Sequence, residues 1–142
     1  MNLSPTGFAF IRSKELFRPT AYKPTSADVW TAGYGHTKGV TAATTCTMQG
    51  AEVWLHEDVA DAVRAVNELV TVPLTQARFD ALVSFTFNLG AGALRGSTLL
   101  QKLNQGHYQG AADEMLRWIH QGKDVLHGLT IRRADERAMF LA

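Results

Sequence analysis

The sequence predicts an α+β protein that is mainly α, with one small β insertion near its beginning. Three observations carry this. Between residues 47 and 141 apolar residues return at spacings of three and four, in segments that open on Thr or Ser and close on Gly or Pro. Between Ala21 and Gly39 that period disappears, and turn-forming and β-forming residues take its place. A chain of 142 residues with 46% hydrophobic and 19% charged residues can also bury the core of one ordinary domain, or of two small lobes sharing a core.

Taken in order, Ser4 followed by Pro5 marks a helix start, Ser as N-cap and Pro at the first position, where no amide hydrogen is needed. Phe8, Ile11 and Leu16 are expected along one face of that helix. Pro19 disfavours continuation, leaving Glu15 near the C-terminal end. A buried carboxylate at that pole of the helix dipole is harder to ionise, the direction a general acid needs. Pro24 to Asp28 is turn material and Val29-Trp30-Thr31 is β-forming, which gives a small hairpin or three-stranded sheet. Gly33 and Gly35, alternating with Ala32 and Tyr34, suggest a strand that something must approach closely.

Thr47 caps the next segment, where Leu55, Val59, Ala62, Val66 and Leu69 form a helix stripe. About 22 residues at ~1.5 Å each make a rod of roughly 33 Å, ended by Pro73. Thr75 caps a helix from Gln76 to Asn88 that stops at Gly90. A short piece, Ala91 to Arg95, precedes Gly96. Ser97 caps a helix with Leu99, Leu100 and Leu103, closed by Gly106. Tyr108 to His120 is expected to be helical with Ala111, Met115 and Trp118 inward, and Thr130 to cap Ile131 to Leu141. Arg132, Arg133, Asp135, Glu136 and Arg137 read as a solvated, charged face.

Several function classes fall away on composition. A net charge of +1 and a pI near 8.0 give no nucleic-acid footprint. A single cysteine, Cys46, excludes an intrachain disulfide and a thiolate-rich zinc site. His36, His56, His107, His120 and His127 show no metal-ligand spacing, so neither a metal nor another cofactor is called for. Gly33-Tyr-Gly-His-Thr lacks the third glycine and the Lys-Ser/Thr of a phosphate loop, and no Gly-x-Ser-x-Gly elbow occurs. The beginning of the chain carries neither a basic leader nor an apolar run of signal-peptide length, and no stretch approaches the ~18 apolar residues of a span. Synthesis in the cytoplasm and no stable membrane association are the expectation.

What remains is the segment Glu15 to His36, which crowds two carboxylic acids, aromatic residues, a hydroxyl and two glycines into one irregular run. Two carboxylates on either side of a bond are the means of glycoside hydrolysis, one protonating the leaving oxygen and the other activating water or attacking. Glu15 and Asp28 come from different elements and could supply them. His36 is expected to pair with Asp58 on the long helix, orienting the fold rather than reacting.

The motifs Glu15-x-x-Arg18-x-x-Ala21-Tyr22 and Trp30-Thr31-x-Gly33-Tyr34-Gly35-His36-Thr37 resemble the phage lysozyme (endolysin) family, glycoside hydrolase family 24. Val72-Pro-Leu-Thr-Gln, Phe79 to Gly90, Ser97-Thr-Leu-Leu and Gly128-Leu-x-x-Arg-Arg-x-x-Glu-Arg-x-x-Phe140 continue the resemblance in the same order. It implies a lysozyme-like two-lobed fold with a cleft between the lobes. The N-terminal lobe would cover about 12–47 with the β insertion and the linking helix about 48–69. The helical lobe would cover about 70–142 together with the first helix.

It also implies a muramidase that cuts the β-1,4 bond between N-acetylmuramic acid and N-acetylglucosamine of peptidoglycan, with inversion and a carboxyl separation of ~6.5–9.5 Å. The family's acid carries onto Glu15 and its catalytic-site threonine onto Thr31. Thr25, Tyr34, Gly35, Asn88 and Arg133 are expected to contact the glycan. A holin to release the enzyme from the host cytoplasm to the cell wall, and a monomeric state, complete the expectation.

The match breaks between the two motifs. Where the family has a glycine after its acid stands Leu16, and where it has an Asp or Cys two residues past the tyrosine stands Pro24. The loop is one residue longer, and counting back from Thr31 puts the second residue's place on Thr25. Three readings stay open: Asp28 serves from a re-formed turn; Thr31, with Thr25, holds the water without a carboxylate; or the enzyme is weakened or inactive, a peptidoglycan-binding protein. A lytic transglycosylase, needing little beyond Glu15, is the further alternative.

Overall fold

Seven helices and two short β-hairpins form the computed structural model, which describes all 142 residues. The backbone divides into two compact units, one made of Ala9–Ala60 and the other of Met1–Phe8 with Asp61–Ala142.

In the unit Ala9–Ala60, helix α1 (Pro5–Glu15, whose first four residues belong to the other unit) leads into strand β1 (Arg18–Tyr22), which pairs antiparallel with β2 (Thr31–Gly33). Arg18 faces Gly33 and Tyr22 faces Thr31, with a register irregularity between. A bridge from Thr20 to Thr45 adds a third segment to β1, while Ala32 and His36 close a tight turn. Val29 and Trp30 lie before the strand, and Tyr34 and Gly35 form the turn after it. The β period therefore covers a shorter stretch than the residue types suggested.

Helix α1 begins as its cap residues dictate: the Gly7 amide donates to Ser4 Oγ at 3.1 Å. Ile11 is wholly buried, but Leu16 does not share its face. It has left the helix in a left-handed conformation, φ 53°, and is 61% exposed. The turn that redirects the chain toward β1 overrides the apolar spacing. A β-carbon in this conformation costs about 1–2 kcal/mol, which is why glycine usually takes it.

Helix α2 (Met48–Leu69) is 22 residues long, and Thr47 caps it by accepting from the Gly50 amide at 3.0 Å. Its residues Met48–Ala60 belong to the first unit, where Leu55 and Val59 are buried.

The second unit is helical: α3 (Gln76–Leu89), α4 (Ala91–Arg95), α5 (Thr98–Asn104), α6 (Tyr108–Met115) and α7 (His127–Leu141), with α3 packed on α7 and α5 on α6. Thr75 and Ser97 cap α3 and α5 through their hydroxyls, each such cap contributing about 1 kcal/mol. The core gathers Phe79, Leu82, Phe85, Leu94, Leu99, Leu103, Met115 and Phe140. At its edge Asp80 ties down the chain start, accepting from Ser4 Oγ and from the Ser4 amide at 3.1 Å.

Two expectations fail here. Helix α6 stops at Met115, and the chain then makes a hairpin of β3 (His120–Gln121) and β4 (Asp124–Val125) around Gly122, φ 61°. The Leu126 amide closes the hairpin on the Ile119 carbonyl at 2.9 Å, so α7 starts at His127, ahead of Thr130. Thr130 is no cap: its hydroxyl donates back to the Leu126 carbonyl at 3.2 Å from within the helix. No helix is long and apolar enough to cross a membrane.

Candidate active site

Glu15 is the last residue of α1, half-exposed, and its carboxylate lies over the backbone of Gly35. A β-carbon on Gly35 would stand 2.6 Å from Glu15 Oε2 and 3.1 Å from its Cδ, so the carboxylate would have to shift to make room for it. Gly35 also has φ 76°, a conformation that favours glycine, and its lack of a side chain leaves the Glu15 carboxylate free to lie where it does. The β-turn thus forms a seat for the acid. Gly33, φ 65°, does the same for packing, since a β-carbon there would meet Ala51 at 3.0 Å.

The residue directly after Gly35 supports the turn: His36 is 6% exposed and its Nδ1–H donates to Asp58 Oδ2 at 2.7 Å. The imidazole lies flat on Trp54, ring centres 4.3 Å apart and planes 15° apart. The pair links the β-turn to α2 through a nearly buried hydrogen bond. On the other side, Tyr34 is 8% exposed and packs its ring on Phe17 with centres 5.7 Å apart. Most of the Tyr34 ring is therefore committed to the fold, and a glycan could reach only its margin.

Arg12, one helical turn before Glu15, forms a two-pronged pair with Glu52, Nε to Oε2 at 2.8 Å and Nη2 to Oε1 at 2.6 Å. The hydrogen bond from Arg12 holds the Glu52 carboxyl below its ordinary range, and Glu52 in turn raises the Arg12 guanidinium.

The turn that departs from the family pattern is closed on itself. Thr25 Oγ donates to Asp28 Oδ2 at 2.8 Å, and the Asp28 amide donates to the Thr25 carbonyl at 3.1 Å. Thr25 is exposed and Asp28 half-exposed. The two residues that compete for one role in the sequence are thus brought together as a pair. Thr31 is buried, and its hydroxyl donates to the Val29 carbonyl at 3.1 Å, which leaves its lone pairs as acceptors.

In the helical unit the expected glycan contacts separate. Asn88, on α3, is half-exposed. Arg133, on α7, is wholly buried and cannot touch a ligand from solvent. Its Nε donates to the Trp118 carbonyl at 2.9 Å, and its other nitrogens donate to Glu136 and to Asn88 Oδ1. The charged face of α7 is solvated only in part: Asp135 and Arg137 are half-exposed, but Arg132, Arg133 and Glu136 are all buried, and Glu136 also accepts from Ser84 Oγ at 2.6 Å. A charge in this position is tolerable only because every member has partners.

Residue type alone puts Glu136 at the surface and does not mark Ser84, yet for Glu136 a signal of burial exists. Arg133, Glu136 and Phe140 share the i, i+3, i+7 spacing of one helix face, and the aromatic residue marks that face as inward.

The family profile "Phage lysozyme" matches residues 12–136. Among curated relatives, the endolysin of Bacillus phage B103 is 45% identical over 143 residues. That alignment takes in 99% of this chain but 54% of the relative, so the chain spans about half of that protein's length. The endolysin of Acyrthosiphon pisum secondary endosymbiont phage 1 is 40% identical over 144 residues, covering 99% of this chain and 98% of the relative. Among solved structures, the muramidase domain of SpmX from Asticaccaulis excentricus superposes with a TM-score of 0.92 at 39% identity, covering 99% of this chain and 98% of that one.

Proposed function

The chain belongs to the phage lysozyme family, and on that premise we propose that it is an endolysin. It acts as a muramidase that hydrolyses the β-1,4 bond between N-acetylmuramic acid and N-acetylglucosamine in bacterial peptidoglycan. The observation that carries the reading is the seating of the Glu15 carboxylate on Gly35, within motifs that match the family on both sides of the departing turn. A half-exposed carboxylic acid held against a rigid turn can be presented to a glycosidic oxygen and give it a proton as the bond breaks.

Water is handled by Asp28 and Thr31. Thr25 occupies one oxygen of Asp28, so Oδ1 is left to accept, and the Thr31 hydroxyl, with its proton on Val29, also accepts. A water donating one hydrogen to each turns its lone pair toward the anomeric carbon. As its oxygen bonds to that carbon, the glycosidic C–O bond breaks, the leaving oxygen takes the Glu15 proton, and Asp28 takes the proton that the water gives up. Thr25 contributes by orienting Asp28, and the His36–Asp58 pair by fixing the turn that holds Gly35. Tyr34, Gly35 and Asn88 contact the glycan. The protein acts as a monomer and depends on a holin to reach the cell wall.

Product analysis on purified peptidoglycan tests the reaction class. Hydrolysis yields reducing N-acetylmuramic acid ends carrying the mass of one added water; anhydro-muramyl ends would make the protein a transglycosylase, and intact strands would leave only binding. Asp28→Asn tests the water-holding role: the rate is expected to fall by about 10²-fold or more, the scale of a lost general base. A parent-like rate and pH profile would move that role to Thr31 and Thr25.

A further inference from the structure

Asn88 and Arg133 stand in series, not side by side. The buried guanidinium is fixed on several sides. Nε donates to the Trp118 carbonyl, one terminal nitrogen donates to Glu136, and its face lies 5.3 Å from the centre of the Phe85 ring, which itself meets Trp118 edge-on at 5.7 Å. Glu136 is held in turn by Ser84 Oγ at 2.6 Å and by Arg132 Nε at 3.3 Å. The Nη2 nitrogen donates to Asn88 Oδ1.

A guanidinium carries donors and no acceptor. The amide of Asn88 can therefore meet it only through its oxygen, because the reversed amide would set N–H against N–H. With Oδ1 turned inward and the residue half-exposed, Nδ2 is left with two donors and no partner in the chain. We infer that Arg133 is a positioning residue that locks the Asn88 amide as a donor, and that the Asn88 amide takes an acceptor-only oxygen of the glycan strand. That oxygen is an acetamido carbonyl on a sugar, or a carbonyl of the lactyl group and stem peptide. Hydrogen bonding to a charged partner polarises the amide further and strengthens its outward donors. The inference rests on the muramidase reading and adds to it the chemistry that Asn88 recognises.

Asn88→Asp tests it, because aspartate has the same shape and still accepts from Arg133, but its outward atom becomes an acceptor. The thermal midpoint is expected to hold or rise, kcat to stay within about twofold, and KM for peptidoglycan to rise about tenfold or more, the scale of a lost or opposed hydrogen bond. The same rise on strands stripped of stem peptides by an amidase assigns the sugar acetamido group; a rise confined to strands that carry stem peptides assigns the lactyl-peptide carbonyl. A folded Asn88→Asp with parent KM overturns the inference while leaving the muramidase reading intact, since the parent's own hydrolysis in that assay tests the latter separately. Should Asn88→Asp not fold, the Asn88 side-chain amide resonances in Glu15→Gln, titrated with a muropeptide tetrasaccharide, must shift, and fixed resonances at saturation overturn it.

Discussion

In the unit Ala9–Ala60 the carboxylates of Glu15, Asp28, Glu52 and Asp58 all stand half-exposed, each beside a turn or on the flank of a helix. In the helical unit Glu136 is fully buried and shared among Ser84, Arg132 and Arg133, and Arg133 is itself fully buried. The same residue types are thus put to different uses. A carboxylate proposed to exchange a proton with a substrate, as Glu15 is, needs access to it and a fixed direction, which the Gly35 seat would give. A carboxylate that holds helices together needs all its lone pairs filled, because a buried charge with a missing partner costs more than the pair contributes. Solvation is partial around the carboxylates of the first unit and is replaced by protein partners around Glu136.

Two substitutions should separate the units most sharply. Glu15→Gln is expected to slow the clearing of a peptidoglycan suspension by about 10²–10⁴-fold, the worth of a general acid, with the thermal midpoint nearly unchanged. Glu136→Gln is expected to cost about 3–5 kcal/mol in chemical denaturation, since it removes the buried negative charge that Arg132 and Arg133 share. A cost under about 0.5 kcal/mol, as for a solvated surface charge, would return α7 to the exposed face that its composition suggests.

Gly35→Ala should affect both properties. The added methyl collides with Glu15 Oε2 in a conformation unfavourable to L-residues, so about 1–2 kcal/mol of stability should be lost. Activity should fall by about 10²-fold if the acid moves by an ångström. Stability loss with parent activity would show that the carboxylate does not depend on its seat.

Leu16→Gly should move stability the other way, by about 0.5–1 kcal/mol. Relief of the left-handed conformation at φ 53° outweighs the added freedom of the unfolded chain, and the exposed side chain buries little. An unchanged midpoint in thermal unfolding would mean that Leu16 makes contacts that offset its strain.

The smallest effect concerns pH. Because Arg12 depresses the Glu52 carboxyl below its ordinary 4.5, that pair contributes stability that is fully present above 4.5 and is lost as pH falls through the lower folded value. In Glu52→Gln the acid side of the stability curve should be flatter over that window, with little change in the slope near neutrality. An identical acid limb in parent and variant would exclude the pair from acid unfolding.

Much of this was written in local sequence. Ser4-Pro5, Thr47, Thr75 and Ser97 mark helix starts because a hydroxyl and a free amide three residues on need no distant partner. Glu15 at a helix end, the β-forming run before Gly33 and the length of α2 follow from the same short-range rules. The β3–β4 hairpin did not show, because Ala111, Met115 and Trp118 keep a helical spacing through a stretch whose backbone bonds are made elsewhere.

What local sequence determined, then, was where each helix begins, the position of Glu15 at the end of the first one, and the family to which those motifs belong. Tertiary structure decided which charges are buried among partners and which stay within reach of solvent. It closed Thr25 on Asp28, laid the Glu15 carboxylate on Gly35, and brought Ser84 to Glu136 across 52 positions of sequence. Caps and periodicity are properties of neighbours in the chain, whereas the solvation of a carboxylate is set by whatever the fold packs against it.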